Sequence, residues 1–192
     1  EEASARVERD RFVFKKDGGA TISGGEPMHQ FSFTYNLARN LSEMGIGVCL
    51  DTTGFAPPEQ FLKILPYVEL FLYDIKQMDS KKHQSFTGVP NELILSNARL
   101  LAENGGALQV RVPVIPKLTD DWDNLTRTAE FCVSLGAAVK LVQLLPYHST
   151  GKSKYERLGW PYKLTQVEPP DEAFMHKALE LFKSCGLPVR LR

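Results

Sequence analysis

Short apolar runs alternate with longer amphipathic stretches along the chain. Runs rich in Val, Ile and Leu have the length and boundaries of buried strands, and other stretches have apolar residues at helical spacing. We expect strands near residues 20–23, 47–51, 70–75, 108–114, 140–145 and 189–191, and helices near residues 28–44, 58–65, 93–104, 121–135 and 171–184. This alternation is typical of an α/β fold with βα units around a parallel sheet.

Length and composition indicate one ordinary folded domain over residues 1–192. Residues 146–170 lack periodicity, and a loop of that length in a compact domain is usually functional or mobile; we interpret it as a functional loop. Lys63, Glu69 and Asp74 interrupt the most apolar region, so we expect no membrane span. Basic and acidic residues number 23 each, which leaves no net charge to attract nucleic acid or an anionic membrane.

Three cysteines, Cys49, Cys132 and Cys185, lie far apart in the sequence. They form neither a disulfide framework nor a close-spaced metal motif, and a reducing cytoplasm suits them best. The chain begins at Glu1 without Met and without a signal-peptide pattern, so we expect a cytoplasmic protein and treat the sequence as a fragment.

Polar residues accompany the ends of the first five predicted strands. They are Ser23-Gly24-Gly25-Glu26-Pro27, Asp51-Thr52-Thr53-Gly54, Asp74-Ile75-Lys76, Arg111 and Pro146-Tyr147-His148. Active sites form where the carboxyl ends of parallel strands meet. We therefore expect these segments to converge on one site.

The Gly24-Gly25 pair has two interpretations. It is either a tight turn, with Glu26 and Pro27 starting a helix, or a loop whose peptide groups and Glu26 carboxylate bind an ammonium group. The segment lacks the later residues of a dinucleotide fingerprint or a phosphate loop, so both of those motifs are rejected.

The other polar residues also leave alternatives open. Asp51 and Asp74 are either caps and loop residues, or a pair that needs a cation or a donor between them. Lys76 faces the same side of an extended chain as Asp74, so the two either pair or hold a polar ligand together. Arg111 lies in an apolar strand and needs an acceptor, from a structural salt bridge or a ligand. His148 is either an ordinary loop histidine or part of the site.

Several segments, in this order, resemble the activating enzymes of glycyl-radical enzymes, the pyruvate formate-lyase activating enzyme family of the radical S-adenosylmethionine (SAM) superfamily. The resemblance runs from about Arg9 onward. It rests on Ser23-Gly24-Gly25-Glu26-Pro27, Leu50-Asp51-Thr52-Thr53-Gly54, Tyr73-Asp74-Ile75-Lys76-Gln77-Met78, Gly88-Val89-Pro90-Asn91, Val110-Arg111-Val112-Pro113 and Leu144-Leu145-Pro146-Tyr147-His148.

This resemblance implies a partial, TIM-like (β/α)6 barrel that binds SAM across its strand ends. It also implies a 4Fe-4S cluster that reductively cleaves SAM to a 5′-deoxyadenosyl radical, which then removes a hydrogen from a glycine of a partner enzyme. The implied partners are a glycyl-radical enzyme, such as pyruvate formate-lyase, and an electron donor such as flavodoxin or ferredoxin.

Carried over by position, the resemblance also assigns site residues. Gly24, Gly25 and Glu26 would hold the methionine amino end of SAM, while Lys76, Arg111 and His148 would contact its carboxylate, ribose or neighbouring groups. Asp51 and Asp74 would also lie at the SAM site. A monovalent-cation site would comprise Asp51, Thr52, the Leu72 carbonyl and Asp74.

One departure is serious. The family binds its cluster through a Cys-x3-Cys-x2-Cys motif, and the three cysteines here do not form one. We expect the first strand, the cluster loop and the cluster ligands to lie upstream of Glu1, and these 192 residues to be inactive alone, with no catalytic residue among them. The alternative is a cluster-free SAM-binding or scaffold protein. A phosphate-binding barrel is disfavoured because no Gly-rich phosphate loop accompanies the last strands.

Overall fold

The structure, a computed structural model, describes residues 2–14, 18–148, 159, 164 and 166–191. Six strands form a sheet in sequential order: β1 Gly19–Ile22, β2 Gly47–Thr52, β3 Leu70–Asp74, β4 Leu108–Val114, β5 Val139–Pro146 and β6 Val189–Leu191. Seven helices accompany them in the described part of the chain: α1 Glu2–Arg9, α2 Phe31–Glu43, α3 Pro58–Ile64, α4 Ser80–Thr87, α5 Glu92–Glu103, α6 Trp122–Ser134 and α7 Glu172–Ser184.

The predicted α/β fold with a parallel six-stranded sheet is confirmed. Every predicted strand is present, with ends shifted by a few residues. Among the described residues the sheet is open, with β1 and β6 as its edge strands, as a partial barrel requires.

Two helices were not predicted, α1 and α4. Helix α4 buries only His83, so its sequence lacks the apolar stripe that marks a packed helix. Its ends carry the signals instead, because the Asp79 side chain accepts a hydrogen bond from the Lys82 amide at 2.9 Å and Gly88 closes the helix with φ 89°. That hydrogen bond holds the pKa of the Asp79 carboxyl below its ordinary value.

The chain divides into two compact units, and the first comprises Glu1–Asp74, Asn91–Val110 and Leu135–Lys140. Strand β2 pairs in parallel with β1 and with β3, and the Phe71 amide donates to the Ala107 carbonyl at 2.9 Å. Alternate residues of β2 and β3 are buried, as expected for strands with one face covered by helices. Leu41, Leu50, Phe61 and Phe71 are fully buried in this unit.

The second unit comprises Ile75–Pro90, Arg111–Ser134 and Leu141–Arg192. Here the Ile75 amide donates to the Arg111 carbonyl at 3.0 Å, and the Tyr147 amide donates to the Val114 carbonyl at 3.0 Å. Strands β5 and β6 are parallel. Its buried residues include Val112, Leu125, Leu144 and Phe182.

Most of the loop predicted at residues 146–170 lies outside the described residues. At its described ends, Tyr147 is buried and its hydroxyl donates to the Leu164 carbonyl at 3.2 Å. The prediction of a single domain over 1–192 stays a prediction. No helix in the described part of the chain has the length and apolar character needed to cross a membrane.

Candidate functional site

The loop that follows β1 presents an exposed backbone. Ser23, Gly24 and Gly25 are exposed, and a Cβ atom added to either glycine would meet no atom within 4 Å. Gly24 also has φ 149°, a conformation that residues with a side chain rarely adopt. The loop therefore needs glycine for its backbone path and leaves its peptide groups open to a ligand.

The Glu26 carboxylate joins this loop to the end of β2. Its Oε1 accepts hydrogen bonds from the Met28 amide at 3.1 Å and from the Thr52 hydroxyl at 2.8 Å. Its Oε2 accepts from the Thr53 amide at 2.7 Å and the Thr53 hydroxyl at 2.6 Å. A carboxylate has about four acceptor sites, so partners within the chain occupy all of them.

Two buried side chains contact the turn after β2 and hold it in place. Gly54 has φ 80°, and a Cβ atom there would run into the ring of Tyr73. Asn97, which is fully buried on α5, donates to the carbonyls of Gly54 and Ala56, each at 2.8 Å. The path of this turn therefore depends on residues from β3 and α5.

Tyr73 is a buried neutral group beside the Glu26 charge. Its hydroxyl donates to the Ile94 carbonyl at 2.6 Å. Burial, followed by the charge of Glu26, raises the pKa of Tyr73 well above its ordinary value. Tyr73 therefore stays protonated at any working pH and keeps this hydrogen bond.

Asp51 and Asp74 lie on one face of the sheet. Asp51 pairs in register with Leu72, and Asp74 follows two residues later on the same strand. Because strand side chains alternate, all three point to the same side, and all three are partly exposed. The Ser23 hydroxyl donates to Asp51 Oδ2 at 2.9 Å, which ties the β1 loop to this face.

Seven of the predicted site residues belong to the first unit: Gly24, Gly25, Glu26, Asp51, Thr52, Leu72 and Asp74. Of these, the Thr52 side chain is buried on the opposite face of β2 from Asp51, where its hydroxyl donates to Glu26. The other three predicted site residues belong to the second unit. Lys76 and Arg111 are partly buried and already engaged with neighbours, and His148 is exposed after β5.

Sequence reasoning missed three residues that shape the site: Thr53, Tyr73 and Asn97. Thr53 stands beside two predicted residues, but nothing in the sequence shows that it binds Glu26. The sequence does single out Asn97, because it is a polar residue within the apolar stripe of Ile94, Ala98 and Leu101. A polar side chain on a buried helix face indicates hydrogen bonds to neighbouring groups.

The cysteines do not fit an iron-sulfur cluster. Cys49 lies in β2, Cys132 in α6 and Cys185 just after α7, and all three are free. Burial raises the pKa of Cys132 to about 12, which disfavours the thiolate that a cluster needs. In the part of the chain that the structure describes, no three His, Cys, Asp or Glu side chains are grouped to hold a metal ion.

The residues of the first unit do fit the methionine end of SAM. An ammonium group needs acceptors, and the open glycine loop and the Asp51 carboxylate lie at adjacent strand ends. These acceptor groups suit the ammonium group at that end of the molecule.

Comparisons with known proteins show similarity along nearly the whole chain. This chain is 35% identical over 189 residues to the trans-4-hydroxy-L-proline dehydratase activating enzyme of Clostridioides difficile. The aligned region covers 96% of this chain and 62% of that protein. The chain is 36% identical over 181 residues to a pyruvate formate-lyase-activating enzyme of Staphylococcus epidermidis, covering 91% and 72% of the two chains. No family model matches the chain.

A solved structure has the same fold. A domain of pyruvate-formate lyase-activating enzyme from Bacteroides vulgatus matches with a TM-score of 0.78 and 32% identity, over 91% of this chain and 99% of that one. In length, the chain spans less than two thirds of the Clostridioides difficile relative.

Proposed function

Because the chain belongs to the family of glycyl-radical-enzyme activating enzymes, we propose that the full-length protein is a radical SAM oxidoreductase that generates a glycyl radical on a partner enzyme. The observation that carries this proposal is the similarity to activating enzymes over more than nine tenths of the chain. When bound, SAM and a 4Fe-4S cluster supply the 5′-deoxyadenosyl radical that removes a hydrogen from the partner's glycine.

In this proposal the first unit binds the amino end of SAM. The peptide groups of Gly24 and Gly25 accept from the ammonium group, and Glu26 fixes the loop that presents them. Asp51 adds a carboxylate at the neighbouring strand end. The open space around both glycines and the hydrogen bonds of Glu26 support this assignment.

Lys76, Arg111 and His148 are assigned to the anionic and ribose groups of SAM. Lys76 carries an ammonium group and Arg111 a guanidinium group, and both suit a carboxylate better than another ammonium group. His148 offers a ring nitrogen that donates or accepts.

The proposal includes a monovalent cation at Asp51, Thr52, Leu72 and Asp74. Two carboxylates on one face of neighbouring strands repel each other unless a positive charge lies nearby. The in-register pairing of Asp51 with Leu72 supports a set of oxygen ligands from the ends of β2 and β3.

The cluster is assigned to cysteines in a part of the full-length protein outside these 192 residues, because the three present do not fit it. The proposed electron donor is flavodoxin or ferredoxin, and the proposed compartment is the cytoplasm, which suits three free cysteines. The same cysteine positions favour a second candidate, a cluster-free SAM-binding protein that acts as a scaffold.

Substitutions at Asp51 and Asp74 test the site. In the full-length protein, assayed anaerobically after cluster reconstitution, Asp51→Ala and Asp74→Ala should each abolish SAM-dependent formation of 5′-deoxyadenosine. Their melting temperatures should change little, because both side chains lie at partly exposed strand ends. Glu180→Ala, an exposed residue of α7 paired with Lys183, is the matched control and should retain full turnover.

Normal turnover by either aspartate variant would overturn the site assignment. A protein that binds SAM but forms no 5′-deoxyadenosine in any variant would favour the cluster-free candidate.

A further inference from the structure

A fully buried asparagine on α6 holds the loop that follows β3. Asn124 Oδ1 accepts from the Met78 amide at 2.8 Å, and Nδ2 donates to the Lys76 carbonyl at 3.3 Å. The same Nδ2 donates to the Thr119 carbonyl at 2.9 Å. One side chain therefore binds peptide groups on both sides of Gln77 and also a peptide group of the loop after β4.

A second buried amide holds the same loop from within. Gln77 is 2% exposed, and its Oε1 accepts from the Asp79 amide at 3.0 Å. Its Nε2 donates to the Leu118 carbonyl at 3.3 Å and lies 3.5 Å from Asp121 Oδ2. Gln77 and Asn124 thus both link residues 76–79 to residues 118–121.

The segment to which they attach is itself firmly placed. The Thr119 hydroxyl donates to the Pro113 carbonyl at 2.6 Å and accepts from the Ile115 amide at 2.9 Å, which fixes the loop to β4. The Asn124 amide donates to Asp121 Oδ1 at 2.9 Å at the start of α6. The anchoring loop is therefore bound to β4 at one end and to the start of α6 at the other.

Apart from the 3.5 Å contact between Gln77 Nε2 and Asp121 Oδ2, the hydrogen bonds described for the two amides go to backbone groups, so their effect falls on the main-chain path of the loop. Lys76 lies in that loop, next to Gln77, and its own carbonyl is one of the groups held. Burying two amides carries a desolvation cost that apolar side chains would avoid, and only a defined polar geometry compensates for it.

We infer that Asn124 and Gln77 are positioning residues that set the backbone at Lys76 so that its ammonium group meets an anionic group of SAM. This inference rests on the proposed function, which assigns Lys76 to SAM.

The test measures the dissociation constant for SAM in the full-length, cluster-reconstituted protein by calorimetry, below the melting temperature of every variant. Asn124→Asp keeps the size and one acceptor but turns a carboxylate oxygen toward two carbonyl oxygens. It should raise the SAM dissociation constant roughly tenfold, because the free energy of about one buried hydrogen bond corresponds to that change in affinity. Gln77→Met, close in shape and without the amide, should act in the same direction.

Leu125→Ala is the matched control, since Leu125 is fully buried in the same helix and makes none of these hydrogen bonds. It should lower the melting temperature as much as Asn124→Asp does, yet leave the SAM dissociation constant within about twofold. Equal weakening of SAM binding by Leu125→Ala and Asn124→Asp would overturn the inference, because general destabilisation would then explain both.

Lys76→Met distinguishes a failure of the positioning role of Asn124 and Gln77 from a failure of the assignment of Lys76 to SAM. If Lys76→Met weakens SAM binding while Asn124→Asp and Gln77→Met bind normally, the positioning role is wrong and the assigned role of Lys76 stands. If Lys76→Met binds SAM as tightly as the unchanged protein, the assignment of Lys76 fails and the positioning role fails with it.

Discussion

The carboxylate of Glu26 accepts four hydrogen bonds at the candidate site. The sequence predicted that it would bind an ammonium group, and that role stays a prediction. The structure adds that Met28, Thr52 and Thr53 already donate to its oxygens. The occupied acceptor sites favour a different arrangement, in which Glu26 shapes the loop and the peptide groups of Gly24 and Gly25 make the direct contacts.

A double-mutant cycle tests the bond between Glu26 and Thr53. Glu26→Gln turns an amide NH2 toward chain donors, and Thr53→Val removes the hydroxyl donor, so each should destabilise the protein by about 1–3 kcal/mol. The two residues share hydrogen bonds, so the double variant should lose about 0.5–3 kcal/mol less than the sum. Urea unfolding of the full-length protein gives these free energies.

The matched pair for this cycle is Glu26→Gln with Thr126→Val on α6, which should be additive because Thr126 is not among the residues that donate to Glu26. Additive effects of Glu26→Gln and Thr53→Val would show that the hydrogen bonds between them contribute nothing to stability.

At the scale of elements, helix ends were predictable where a side chain caps them. Asp121 and Asp171 begin two of the predicted helices and are of the residue type that caps helices, and both accept hydrogen bonds from amides three residues later, those of Asn124 and Phe174. Helix α4 was missed because it buries a single side chain and has no apolar periodicity. Asp79 and Gly88 do mark the ends of α4, so capping residues located helix ends only where apolar periodicity had already indicated a helix.

The cap of α7 gives a prediction at this scale. Asp171 Oδ1 accepts from the Phe174 amide at 2.6 Å, and the Phe174 ring packs 5.0 Å from that of Trp122 at the start of α6. Asp171→Ala should therefore lower the free energy of unfolding by about 1 kcal/mol. Asp171→Asn keeps the acceptor and should cost only a fraction of that, as chemical denaturation would show. An equal loss for both variants would mean that the cap hydrogen bond is not the cause.

At the scale of the whole molecule, the apolar pattern was enough to predict the strands and the parallel sheet, because a buried strand is a local run of residues. The positions of Gly24, Asp51 and Asp74 followed from it, since each stands at or beside the end of a strand. The contacts of Thr53, Tyr73 and Asn97 did not follow, because they depend on the side-chain geometry of three separate elements. Most of the predicted loop at 146–170 lies outside the described residues, so its role stays a prediction.

Family membership rests on similarity to activating enzymes across most of the chain, while the cysteines within these residues do not fit the cluster that such enzymes use. The proposed activity therefore depends on the full-length protein. The defining step of that activity is the removal of a hydrogen atom from a glycine of another protein. SAM binding alone does not establish this step.

The most direct test is electron paramagnetic resonance of a glycyl-radical enzyme from the same organism, incubated anaerobically with the reconstituted full-length protein, SAM and a reductant. We predict a glycyl-radical signal on the partner together with 5′-deoxyadenosine, and neither product when Asp51→Ala replaces the unchanged protein. SAM binding without 5′-deoxyadenosine and without a radical signal would contradict the proposed activity and favour a cluster-free SAM-binding protein.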